Sequence, residues 1–308
     1  MKFPILSLLT LATSVLAVPG RSPATQPSTG KPVDWNAVPG ILARISPPKF
    51  PTRDFPITDF GTVADGRTDA TEAIRKAIAA CHQAGGGRVV VTGGVFLTGA
   101  IHLESNVNLH LAEGATLKFD SDPQKYLPVV HTRFQGTECM NYSPLVYAFE
   151  KENIAITGKG TLDGSASPET WWGLLRPKPG SSVSPRASPE RLLAFGEQGN
   201  QVGERVFGPG HALRPNFIQP FRCCNVLIEG IRVVNSPMWC LNPVFCRNVT
   251  VRDVSVVSHG PNNDGCNPDS CEDVLIENCL FDTGDDCIAI KSGKSCATSR
   301  SGAWRTRC

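Results

Sequence analysis

Asp264, Asp285 and Asp286 are the residues of this chain whose type and spacing suit chemistry. Asp264 closes the run SHGPNND, and the adjacent pair at 285 and 286 follows twenty-one residues later. Taken singly, Asn-Asp-Gly and Gly-Asp-Asp are ordinary turn sequences. Between them, however, lies DVLIENCLF, an apolar and β-branched run that favours a strand. One winding of a coil would return the chain to its starting level and bring the three carboxylates together. Carboxylates so close cannot all ionise comfortably, so repulsion raises at least one pKa. The outcome is a proton-bearing group beside ionised ones, which is the asymmetry an acid and base pair requires.

The elements that would position them form a repeat. NVLIEGIRVVNS starts at Asn225, NVTVRDVSVVSH at Asn248 and DVLIENCLFDTG at Asp273, so successive starts are a little over twenty positions apart. Strand units with that period, and Asn near each turn, predict a solenoid of stacked β-coils in which one inward row of Val, Ile and Leu builds a continuous core. Stacked strands lie roughly 4.8 Å apart. Asp264 and Asp285 are therefore expected one above the other, with Asp286 adjacent. Leucine-rich repeats share the period but need an L-x-x-L-x-L skeleton that is missing. A propeller blade needs more strands per unit, and a sandwich needs hairpin turns of the Asn-Gly type.

Upstream, short strand-like runs begin at Arg88, Gly94, Asn106 and Asn153. A helix precedes them, with Asp69 as its cap, Glu72 reaching back, and Ala73, Ile74, Ala77, Ile78 and Cys81 on its apolar face. Gly85, Gly86 and Gly87 end it, and because they follow the helix instead of opening it they are not a phosphate loop. The helix would cover the open backbone edge of the first coil. The expected fold is all-β, a coil of parallel strands with an N-terminal capping α-helix. Segment 173–215, rich in Pro, Gly and Ser, reads as a long loop.

In a chain of 308 residues, 29 Gly and 25 Pro agree with many turns. Residues 1–17 carry one Lys, an apolar run and small or aliphatic residues at Val15 and Ala17, the pattern of a cleavable secretory signal. The expected product is secreted, with no membrane span. Residues 18–55 form a Pro/Ser/Thr-rich extension, 56–293 the coil, and 294–308 an irregular basic tail. Setting aside Lys2 and the five basic residues of the last eighteen positions turns the formal charge of +2 into −4 for 18–290, which argues against a nucleic-acid partner. Export would permit disulfides among the twelve cysteines. Their spacing fits no zinc site, and several lie in strand-like runs as small apolar filler. Asn141 and Asn248 fit the glycosylation acceptor pattern.

Cleaving a glycosidic bond takes one protonated carboxyl at the leaving oxygen and one carboxylate serving a water or the sugar carbon. Calcium is the competing use of clustered acids, but it wants more oxygen ligands than these three supply. Asn263-Asp264-Gly265 and Gly284-Asp285-Asp286 with the following CIAIKSG resemble the two aspartate motifs of glycoside hydrolase family 28, the polygalacturonases and their relatives. FGTVADGRTDATEAI and GVFLTGAIHLESNVNLHLAEGATL resemble that family's N-terminal part, so the resemblance covers roughly Phe55 to Gly293.

The resemblance implies a right-handed parallel β-helix that hydrolyses α-linked galacturonic acid polymers such as pectin with inversion, as a monomer without metal or cofactor. It makes Asp285 the general acid, with Asp264 and Asp286 holding and deprotonating the attacking water. Asn263, His259 and Lys291 are the expected substrate contacts, Lys291 facing a uronate. Trp171, Trp172 and Trp239 are candidates to stack on sugar faces, and Arg133 to reach the cleft from a loop. The family's later G-H-G and R-I-K motifs are missing, and KSCATSRSGAWRTRC shows no strand alternation. A truncation or frame change near Gly293, with the last coils missing, is the expected cause. Two other classes fit a solenoid with clustered acids: a polysaccharide lyase using a Lys or Arg base with calcium, and a non-catalytic carbohydrate-binding protein.

Overall fold

The computed structural model describes residues 34–176 and 184–294, so the expected signal and nearly all of the basic tail lie outside the described residues. Two units divide at Val38, and the described residues of the first form a short 3-10 turn over Trp35–Ala37, capped by Asp34. Everything below concerns the unit that begins at Pro39.

That unit winds as a right-handed parallel β-helix. Two seven-stranded sheets and one three-stranded sheet run along it, all parallel, as coil after coil adds one strand to each; crossovers between parallel strands of one sheet are right-handed. The registers reproduce the sequence repeat: Val226 pairs with Val249 and Val249 with Val274, while Ile228, Val251 and Ile276 align in the same way. Each step of the repeat is thus a single winding. Val226, Val249 and Val251 are buried, and stacking β-branched side chains in one inward row gives each coil the apolar contact that a single coil lacks.

The Asn at the start of each repeat marks a corner. Asn106, Asn153, Asn225 and Asn248 all have φ between 53° and 66°, a left-handed conformation that Asn tolerates better than most residues. Their amides form a ladder from coil to coil, with Nδ2 donating to the preceding Oδ1 at 2.9, 2.8 and 2.7 Å. Asp273 takes the next corner and accepts from Arg44 Nε at 2.9 Å, while Ser46 exchanges two backbone bonds with the Asn248 amide. The extension is therefore an arm tied across the corners by polar contacts. The first strand of the coil, Asp54–Pro56, begins inside this extension, two residues before the expected boundary. Asn248 spends its amide in this ladder, and Asn141, 1 % exposed, donates to Leu213 O. Neither offers the free amide that glycosylation needs.

The capping helix spans Thr71–Gln83 and buries the expected five residues, against the first strands Asp54–Pro56 and Gly87–Val91. Its start differs from expectation. Asp69 lies in a strand and accepts from Thr71 N one residue inside the helix, while Glu72 turns outward to Arg75 at 2.7 Å. Gly86 (φ 108°) is required at the other end, since a Cβ there would lie 2.6 Å from Asn106 O.

Segment 173–215 is not simply a loop. A helix over Ala187–Glu197 carries Leu192 and Phe195 into a second small core with Phe134, Cys139, Phe207, Leu213, Met238 and Trp239. Pro189 sits in its first turn, where proline is tolerated, so a residue that reads as a breaker lies at the start of a helix. The hairpin Val130–Phe134 with Thr137–Asn141 shares this core. Six of nine described free cysteines are buried. Burial pushes Cys81 up to about 11 and both Cys139 and Cys240 up to about 12, as inert filler should be. No described helix is long and apolar enough to cross a membrane.

Candidate active site

The third sheet carries the acids. Its strands Val146–Phe149 and Ile218–Phe221 continue through later coils as single parallel bridges, Leu241 to Cys266 to Ile288 and Val244 to Asp269 to Lys291. Asp264 lies just before Cys266, and Asp285 and Asp286 lie just before Ile288. Gly265 N donates to Asp286 O at 2.9 Å. Continuing the Cys266 to Ile288 register back along both strands places Asp264 level with Asp286, not with Asp285, because this winding is one position longer than the spacing between Asp264 and Asp285. The expected order of the two is reversed, but convergence holds: one oxygen from each of the three carboxylates lies within 4.8 Å of the other two.

A groove of about 500 Å³ surrounds them, lined also by Trp239, Asn262, Lys291 and the hairpin tip at Gln135 and Gly136. A cleft of about 950 Å³ lies under the N-terminal arm, but its Arg88 and Arg252 are already paired with Asp54 and Glu229. The smaller groove holds the three converging acids.

Asp264 is 3 % exposed while Asp285 and Asp286 face solvent. Burial is the main cause that pushes the Asp264 carboxyl above its ordinary value, and repulsion from Asp285 and Asp286 adds to it. Asn267 Nδ2 at 2.7 Å and Lys291 Nζ at 3.5 Å oppose the rise without cancelling it. Its buried Oδ1 has no partner among the described residues. Lys291 sits 4.5 Å from the centroid of the Trp239 ring, so its ammonium is held between an aromatic face and a carboxylate. The three acids are close enough to share a cation, but Lys291 already supplies a positive charge there.

Residues 207–301 match the family model for glycosyl hydrolases family 28. A hyperthermoactive exopolygalacturonase from Thermotoga maritima superimposes with a TM-score of 0.83 at 49% sequence identity, over 86% of this chain and 60% of that one. The chain belongs to glycosyl hydrolase family 28. An exo-poly-alpha-D-galacturonosidase of Dickeya chrysanthemi is 31% identical over 77% of this chain and 42% of its own length. A probable polygalacturonase of Vitis vinifera is 29% identical over 77% of this chain and 44% of its own. The chain thus spans less than half the length of these two relatives and 60% of the Thermotoga chain.

Within this family site, the expected residues fall into two groups. The three aspartates and Lys291 share the groove. Asn263 does not: it is 0 % exposed, its Oδ1 accepts from Ser258 Oγ and Gly260 N, and its Nδ2 donates to Ser236 O and Met238 O. With both ends of the amide engaged it has nothing to offer a substrate, and it acts instead as the pin of the turn that aims Asp264. Its neighbour Asn262 lines the groove in its place, set there by the left-handed turn it occupies (φ 55°).

His259 is exposed and bonded to Asp282 at 2.7 Å, outside the groove lining. Arg133 is buried against Asp269, and its hairpin reaches the groove only through Gln135 and Gly136. Trp171 is core and Trp172 donates to Ser236 O, which leaves Trp239 as the tryptophan at the groove. The hairpin tip, many coils earlier in the chain than the acids, carried no signal in the sequence.

The raised Asp264 has a consequence for stability. A carboxyl whose folded pKa exceeds its unfolded value costs the folded state energy wherever it is ionised, and the cost disappears as pH falls through the folded pKa. Asp264→Asn is therefore expected to raise Tm at neutral pH by about 2–4 °C, roughly the effect of 1 kcal/mol in a domain of this size. The gain should vanish near pH ~3, where the wild-type carboxyl is protonated in both states. Thermal melts at the two pH values check this, and an equal gain at both would contradict it.

Proposed function

We propose that this chain hydrolyses α-linked galacturonic acid polymers outside the cell with inversion at the anomeric carbon. The observation that carries hydrolysis is the convergence of Asp264, Asp285 and Asp286 to within 4.8 Å beside Lys291 in one groove, inside the stretch that matches the family. Carboxyls this close are nearer the ~5–5.5 Å of a retaining site than the ~6.5–9.5 Å of an inverting one, so inversion is taken from the family resemblance alone. The printed names of its relatives, polygalacturonase and exopolygalacturonase, supply the substrate class.

Asp285, exposed at the lip, protonates the glycosidic oxygen as the bond breaks. Asp264 and Asp286, stacked at one level, hold a water and take its proton as it attacks the sugar carbon. Lys291 faces the uronate carboxylate as a point charge. Trp239 backs the lysine and offers the edge of an apolar surface to a sugar ring.

The test is direct. The purified chain on polygalacturonate should release reducing ends, and proton NMR of the first product should show the β anomer before mutarotation. A first-formed α anomer would refute inversion. Products with an unsaturated bond would replace hydrolysis with elimination, and no products at all would refute the activity.

A further inference from the structure

Arg214 is 1 % exposed, and among the described residues none of its hydrogen-bond acceptors is a carboxylate. Nη1 donates to Pro237 O and Pro261 O, both at 2.7 Å, Nη2 donates to Asn262 Oδ1 at 2.8 Å, and Nε is buried without a partner. Burial pushes Arg214 down to about 10, which leaves it charged at neutral pH. Burying a cation without a counter-ion is costly, and an apolar side chain would serve folding better. A guanidinium, however, can only donate.

We infer that Arg214 is a positioning residue for Asp285, acting through Asn262. The deduction runs along the amide. Because Nη2 must meet an acceptor, it holds the Asn262 oxygen inward, and the Nδ2 group is then turned outward to the groove, 3.3 Å from Asp285 Oδ2. Asp286 N donates to the other oxygen at 3.0 Å. Donors on both oxygens fix the plane of the carboxyl. Without Arg214 the amide is free to turn over and present its oxygen, which repels the carboxylate and favours its protonated form. Asn262 has φ 55°, a left-handed conformation that Asn, Asp and Gly adopt most readily. The two prolines belong to successive turns, and so the same guanidinium also ties the coil that carries Trp239 to the coil that carries Asp264.

This inference rests on the hydrolytic reading for its kinetic test but not for its spectroscopic one. In Arg214→Met and Asn262→Gly, kcat on polygalacturonate is expected to fall about 10-fold or more with KM changed by less than about 2-fold, as for a misaligned catalytic group. The basic limb of the kcat/KM profile should move to higher pH in both. The double variant should be no worse than the weaker single one, because both break one chain of contacts. Carbon-13 NMR titration of the Asp285 carboxyl in the full chain should show a raised pKa in each variant.

If the wild type releases no reducing ends, the hydrolytic reading fails and the titration alone decides this inference. Asn262→Gly keeps the left-handed backbone and removes only the amide, so it decides the matter even where Arg214→Met does not fold. An unchanged Asp285 titration in Asn262→Gly, or additive losses in the double variant, overturns the proposal.

Discussion

Asp285→Asn is expected to cut the release of reducing ends from polygalacturonate by about 10²–10⁴-fold, the range that a lost general acid produces. Asn has the shape of Asp but cannot deliver a proton to a leaving alkoxide. The variant should fold normally, because Asp285 is exposed and only its donors at 3.3 and 3.0 Å are affected. The loss should belong to kcat, with KM nearly constant, since the proton matters only as the bond breaks. An aryl galacturonide with an acidic phenol as leaving group needs little protonation, so the variant should lose much less on it. A variant that keeps polymer activity within about 10-fold of wild type would remove Asp285 from the role of acid.

Asp269→Ala is expected to cost about 3–5 kcal/mol of stability, the usual result of breaking a buried ion pair from one side. Arg133 and Asp269 meet at 3.1 Å with side chains 2 % and 1 % exposed. Ser270 Oγ is a further acceptor for Arg133 at 3.1 Å, and its guanidinium lies 4.6 Å from the Phe245 ring centroid. Neither replaces the lost charge. Burial already pulls the Arg133 pKa down, and Asp269 is the first group that holds it up.

In a domain of this size that cost lowers Tm by roughly 6–20 °C. By contrast, Glu72→Ala, which breaks a pair whose side chains are 68 % and 64 % exposed, should leave Tm almost unchanged. Replacing both buried partners by apolar residues, Arg133→Met with Asp269→Leu, should recover most of the loss. Calorimetry of the three variants decides it, and an Asp269→Ala protein as stable as Glu72→Ala would show that the pair is not what holds this face.

Asp269 also bridges to Lys291 in the next coil. Asn242 and Asn267 continue the support toward Asp264 through Asn242 Nδ2 to Asn267 O and Asn267 Nδ2 to Asp264 Oδ2, both 2.7 Å. Loosening Asp269 is therefore felt in the groove as well as in the melt. Buried polar chains of this kind keep their geometry only when every link is made.

By itself the amino-acid sequence determined the winding, because that depends on local chemistry repeated at a nearly fixed interval. Asn at each corner tolerates the left-handed turn, β-branched runs make the strands, and the regular step from Asn225 to Asn248 to Asp273 stacks one inward row. The apolar face of Thr71–Gln83 was legible for the same reason, being written in neighbours one helical turn apart. So was the meeting of three aspartates, since residues about one winding apart must come close.

Only the tertiary structure decided the phase and the distant partners. A winding one position longer than the Asp264 to Asp285 spacing puts Asp286 level with Asp264, and a single step along the chain sends Asn262 to the groove and Asn263 into the wall. The corners absorb such differences, so no count along the chain can predict them. Arg133 finds Asp269 across 136 positions, and Arg214 reaches Asn262 across 48. Contacts of that range leave no period to read. They exist because stacking the coils encloses those side chains together and excludes the water that would otherwise have satisfied them.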